Sequence, residues 1–160
     1  MAKGEYAAAA ETAQQVIDSG NYTMFTKEKL TTTGFNSVEL PSFMWAIDLT
    51  KDNTPALPTF WGHVDYFTYS YAGIGDYKEI PDNLYAEIPE TDGRKAWFRN
   101  QQPYLPWNKF FDANRVYMGD RLWENDEVYM RIEEMYLIAA EANARDNKLD
   151  QSKIVLTDWS

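Results

Sequence analysis

Cysteine is missing altogether from the 160 residues, which excludes disulfides, thiolate metal sites and cysteine nucleophiles. Histidine is nearly missing too. His63 stands alone, so no imidazole-rich metal centre can be assembled; no nucleophile elbow lies near it, so no Ser/His/Asp relay is expected, and a single His beside aromatics is expected to be a hydrogen-bonded structural residue. Positive charge is scarce: 15 Lys and Arg face 25 Asp and Glu, for a net charge of -10, and no basic run occurs. A phosphate backbone is repelled by such a chain, so nucleic acid is not an expected partner. No apolar run approaches the roughly 20 residues of a membrane span, and the opening "MAKGEYAAAAETAQQ" lacks the basic-then-apolar layout of a signal peptide.

Carboxylates are plentiful, but plenty is not a site. A pair for glycoside hydrolysis could be drawn from Asp65, Asp76, Glu79, Asp82, Glu87, Glu90 and Asp92. Their spacing singles out neither an acid nor a nucleophile, and none of these loops follows an EF-hand pattern. Solvated surface is the expected role, with no catalytic residue, metal ligand or cofactor.

Aromatic residues are the excess. Six Trp, 11 Tyr and 8 Phe make up 16% of the chain, more than a core ordinarily needs when each buried Tyr or Trp requires a partner for its polar atom. Phe43, Trp45, Phe60, Trp61, Tyr66, Phe67, Tyr69 and Tyr71 fall within 29 residues. Flat amphipathic rings among Asp, Ser and Thr suit sugars, whose C–H faces stack on the ring while hydroxyls bond polar neighbours. Trp61, Tyr66, Tyr69 and Tyr71 are therefore the candidate carbohydrate-binding residues. In a strand-like stretch Tyr69 and Tyr71 would share a face and Tyr66 would point the other way. The competing role for each ring is to pack a region poor in aliphatic side chains.

Periodicity places helices at both ends. Tyr6, Ala9, Ala10, Ala13 and Ile17 recur at helical spacing, with Gly20 placed to end the helix. Ile132, Met135, Tyr136, Ala139 and Ala142 form a second stripe, and Glu141 precedes Arg145 by four residues. Asp146, Asn147 and Lys148 form a turn, after which Asp150 is expected to cap a helix with Ser152, Val155, Leu156 and Trp159 on one face. All seven Pro residues lie between Pro41 and Pro106, so the middle is expected to hold short helices, turns and strand-like pieces. There "AGIGDY" reads as a turn, and "TDGRKAWF" as a pinned turn in which Arg94 or Lys95 pairs with nearby acids. The expected fold is mainly α: a single domain over residues 1–160, with tetratricopeptide-like helical hairpins at 1–20 and 128–160 as scaffold and an irregular, aromatic-rich insertion over 21–127.

Four segments in order, "EYAAAAETAQQVIDSGNYTM", "NSVELPSFMWAID", "LYAEIPETDGRKAWF" and "MRIEEMYLIAAEANA", resemble the SusD-like (RagB/SusD) outer-membrane nutrient-binding lipoproteins of Bacteroidetes. The resemblance spans about Glu5 to Trp159 and is weakest between Asn100 and Asn125. It implies a surface-exposed glycan-binding protein of the cell outer membrane without catalysis, whose partners are an oligosaccharide or polysaccharide and a TonB-dependent transporter. Family members are much longer and carry a lipoprotein signal, so the chain is expected to be a fragment of such a scaffold, prone to self-association through faces meant for further hairpins. No family motif assigns the sugar-contacting positions. A helical-repeat module that binds a protein partner and a glycosidase are the competing functions.

Overall fold

The computed structural model describes residues 3–32, 35–50, 52–53, 60–67, 70–109, 117–118 and 125–157. Among them the chain is mainly helical, as expected. Six helices run in order: α1 (Tyr6–Asp18), α2 (Lys27–Thr32), α3 (Phe60–Val64), α4 (Asp82–Glu87), α5 (Ile132–Arg145) and α6 (Leu149–Thr157). Two short strands, β1 (Phe43–Ile47) and β2 (Glu127–Arg131), pair with each other. The chain forms two compact units. One comprises Met1–Met24, Glu39–Ala46 and Tyr129–Ser160, the other Phe25–Val38 and Ile47–Val128.

In the first unit α5 packs against both α1 and α6. Its sequence contains neither Gly nor Pro, and Glu133 and Glu134 lie in the first turn with Arg145 in the last, the arrangement the helix dipole favours. Ala139, Ala140 and Ala142 on α5, with Ala10 and Ala13 on α1, are all buried, small side chains that let backbones approach closely. Ile132, Met135 and Val155 complete the core, with Met44 and Met130 from the strands against it, and burying each stabilises by about 1.5 to 3 kcal/mol. Arg145 Nε donates to Glu141 Oε1 at 2.7 Å, and its guanidinium lies 5.6 Å from the Tyr6 ring centroid.

Both α1 and α5 are followed by a residue in left-handed geometry. At Asn147, φ is 61°; its N–H donates to Ala144 O at 3.2 Å while Lys148 N–H reaches Asn143 O at 2.8 Å, the paired bonds of a Schellman motif. At Gly20, φ is 67° with open space where a Cβ would be, so conformation and not crowding selects glycine. Two details differ from expectation. The last helix begins at Leu149, so Asp150 sits in its first turn and not at the cap, where a carboxylate still meets the dipole favourably. Ser152 and Val155 are buried but Leu156 is exposed, since it lies a further 100° around the helix from Val155. Trp159 lies outside the described residues.

In the second unit Phe35 is buried between Phe25 and Trp97, each edge-on at 5.4 Å, and Lys109 Nζ caps Trp97 at 4.0 Å. Trp97 Nε1–H donates to Leu30 O at the end of α2. Gly93, in the 3-10 turn Gly93–Trp97, stands where a Cβ would come within 2.9 Å of Thr31 Cγ2, so any larger residue would have to displace that methyl. The pinned turn is borne out: Arg94 pairs with Asp92 and Lys95 with Glu90. Asp126, buried, accepts the Val38 N–H at 2.6 Å and the Leu49 N–H at 2.7 Å, while its own N–H donates to Asn36 O.

Ala139→Lys should destabilise the fold by about 3 to 5 kcal/mol, from overpacking plus an unpaired buried charge; an unchanged thermal midpoint would contradict the α1–α5–α6 packing. Asp126→Ala strands two amides and should cost about 2 to 6 kcal/mol, with Asp126→Asn costing less, since each lost acceptor costs about 1 to 3 kcal/mol. Equal denaturant midpoints for the two variants would contradict the clamp.

Candidate functional site

The described residues of 60–78 lack long regular structure, so their backbone is held by side chains. The buried Asp65 carboxylate accepts the Phe67 N–H at 3.0 Å, an Asx-type turn. Buried Ser70 donates its hydroxyl to Asp65 O and accepts the Gly73 N–H at 2.9 Å. Ala72 N–H to Gly62 O and Lys78 N–H to His63 O then tie this loop to α3. The "AGIGDY" segment is a turn, as expected, with φ of 110° at Gly75.

Of the four candidate residues, Trp61 lies in α3, and its side chain and the whole of Tyr69 lie outside the described residues. Tyr71 is half-buried in a turn and not in a strand, because the Ser70 and Gly62 bonds close the chain on itself here. Its ring stacks on His63, centroids 5.4 Å apart. His63 departs from expectation: Nδ1 is buried without a hydrogen-bond partner among the described residues, so ring stacking and not a polar bond holds it.

Tyr66 goes elsewhere. It is the centre of a ring cluster, with Trp107 and Tyr117 each at 6.1 Å and Tyr77 at 6.5 Å. Phe67 joins from the other side, 4.3 Å from Trp107 and 6.1 Å from Tyr117. No ring contact links Tyr66 with Tyr71 among the described residues, so these two candidates do not share one ring platform. Tyr66, Tyr77 and Trp107 are half-buried and Tyr117 is 57% exposed. The Tyr117 phenol titrates above its ordinary value of 10.0, chiefly through its hydrogen bond with Tyr66. Trp107 is carried by a hairpin-like pairing, in which Phe98 bridges Pro106, Arg99 N–H donates to Leu105 O at 2.9 Å and Trp107 N–H to Trp97 O at 2.8 Å. Trp107, Tyr77 and Tyr117 were not singled out from sequence. Their positions, up to 51 residues from Tyr66, leave no local signal.

Four of the acids drawn up for hydrolysis are otherwise engaged. Asp65 pins a turn, Asp82 accepts from Gln102 Nε2, Glu90 holds Lys95 and Asp92 holds Arg94. Asp92 is pulled from 3.8 down to about 2, first by the Arg94 side-chain hydrogen bond and then by the Arg94 N–H, the opposite of the rise a general acid needs. A separate apolar cavity of about 440 Å³ lies between Ile80, Leu84, Ile88, Trp97, Phe98 and Pro106, with Arg94 and Lys109 in its wall.

A lowered carboxyl contributes stability that is fully present above pH 3.8 and is lost as pH falls through about 2. Carboxyl-carbon NMR should give Asp92 a midpoint near 2, and Arg94→Gln should move it up towards 3.8, stopping short because the backbone bond remains. A wild-type midpoint at or above 3.8 would refute the pairing.

No family model and no curated protein matches the chain. Solved structures do. A SusD-like carbohydrate binding protein from Bacteroides vulgatus is similar at a TM-score of 0.65 and 24% identity, over 96% of this chain and 32% of its own. For a putative sugar binding protein from the same species the values are 0.71, 22%, 96% and 34%. A SusD superfamily protein from Bacteroides thetaiotaomicron gives 0.58, 20%, 97% and 37%. The chain thus has the fold of the SusD-like proteins, and it spans about a third of the length of those it matches.

Proposed function

We propose that the chain is part of a SusD-like protein of the outer-membrane surface that binds oligosaccharide or polysaccharide, without catalysis, and passes it to a TonB-dependent transporter. The observation that carries this reading is the ring cluster of Tyr66, Tyr77, Trp107 and Tyr117, part buried and part open, with phenol groups at its edge. Support comes also from the carbohydrate-binding descriptions of two structural neighbours. Trp61, Tyr66, Tyr69 and Tyr71 stay as candidate contacts, with Tyr66 now joined to Trp107 and Tyr117.

Exposed Leu149, Ile154 and Leu156 on α6 support self-association of the isolated chain; light scattering of a dilution series would reveal it, and a monodisperse monomer at high concentration would argue against it.

Affinity gels cast with a panel of polysaccharides should retard the protein without release of reducing ends. Replacing a sugar-contacting ring by Ala should cost about 1 to 3 kcal/mol of binding, by analogy with base stacking on aromatic side chains, and leave the fold nearly intact. A ring that serves only packing would instead cost about 3 to 5 kcal/mol of stability. Calorimetric binding and thermal melts for Ala variants of Trp61, Tyr66, Tyr69, Tyr71, Trp107 and Tyr117 separate the two roles. If every variant that folds binds as wild type does, these rings are not the site.

A further inference from the structure

Arg99 is an exception among the described arginines. Arg94 pairs with Asp92, Arg131 with Glu133 and Arg145 with Glu141. Arg99, a half-buried residue, has no carboxylate and no side-chain hydrogen-bond partner for its guanidinium among the described residues, in a chain where acids outnumber bases by 25 to 15. Its backbone is fixed by the bond to Leu105, and it lies diagonally across the Phe98–Pro106 bridge from Trp107, with Cζ 5.7 Å from the Trp107 ring centroid. Its charge also reaches the exposed end of the ring cluster, since it acts on the Tyr117 phenol against the upward push of Tyr66. A cation held against a ring keeps its N–H groups largely unused, and a guanidinium offers a planar fork of donors matched to two oxygens of one anionic group.

We propose that Arg99 is the specificity residue of the Tyr66–Trp107–Tyr117 cluster and selects glycans that carry an anionic substituent, a uronate carboxylate or a sulfate ester. This rests on the glycan-binding reading of the cluster and narrows its ligand class. Sugar rings stack on the aromatic faces, and the carboxylate or sulfate oxygens accept from the guanidinium at the cluster's edge. The fork gives direction that a lysine would not.

The test measures binding of the chain to polygalacturonate, dextran sulfate and dextran by affinity electrophoresis and calorimetry. Expected are retention of at least one anionic polymer, weaker retention of dextran, and a fall in anionic binding as salt rises from about 50 to about 500 mM. Arg99→Gln should weaken anionic binding about tenfold or more and leave dextran unchanged, with Arg99→Lys between the two. Polygalacturonate alone retained assigns a carboxylate and dextran sulfate alone a sulfate; either supports the proposal. Dextran bound as tightly as both anionic polymers overturns the proposal while leaving glycan binding in place. Retention of none of the three overturns the proposal, and the wider polysaccharide panel then decides the glycan-binding reading separately. Arg99→Gln binding anionic polymer as wild type does also overturns it, and should that variant fail to fold, the Arg99→Lys affinity and the wild-type salt dependence decide.

Discussion

Backbone amides that neither a helix nor a sheet ladder uses must still find acceptors, and the second unit is built around that constraint. Asp126 takes two of them, Asp65 takes one, Ser70 closes a turn and Asp92 receives the Arg94 N–H. Each such bond adds only about 0.5 to 1.5 kcal/mol, but leaving its donor buried and unmatched costs about 1 to 3 kcal/mol. The loops therefore hold their shape through side chains that a helical segment would not need. Part of the acidic excess is explained by this, since Asp65 and Asp126 are buried structural groups and not surface charge.

The same irregularity accounts for the rings. Loops cannot present continuous aliphatic faces, so large flat side chains cover the gaps: Phe35 between Phe25 and Trp97, Tyr85 stacked on Tyr104 at 3.9 Å, and Tyr66 among its neighbours. A phenol or indole can leave its polar end in water while its face packs. Phe35, almost wholly buried, has given up any outward role, whereas Tyr117 at 57% exposure has not.

Helical periodicity made the first unit legible. Ala13, Ile132, Met135 and Ala139 were readable as core because a stripe at 3.6-residue spacing is a local property, and Asn147 because few other residues enter the left-handed region. The candidate site was readable only in composition. Tyr66 stood out in an aromatic run, but its partners Trp107 and Tyr117 come from distant turns, and Tyr71 is drawn to His63 by loop bonds that no spacing announces. Arg99 gave no signal either, since what distinguishes it is the absence of a nearby acid among the described residues, a fact of three-dimensional arrangement.

A prefixed ring cluster suits a ligand whose hydroxyls exchange one set of hydrogen bonds for another with little net gain. On the proposed reading, affinity would come mostly from apolar C–H faces covered by rings already in place, at small cost in ordering, and polar groups would decide which sugar is accepted. The net charge of -10 would by itself oppose an acidic ligand. At physiological salt, however, exposed charges farther than about 8 Å are largely screened. The Arg99 guanidinium, 5.7 Å from the Trp107 ring centroid, lies inside that range, so under the proposed reading it would offset the net charge for an acidic ligand.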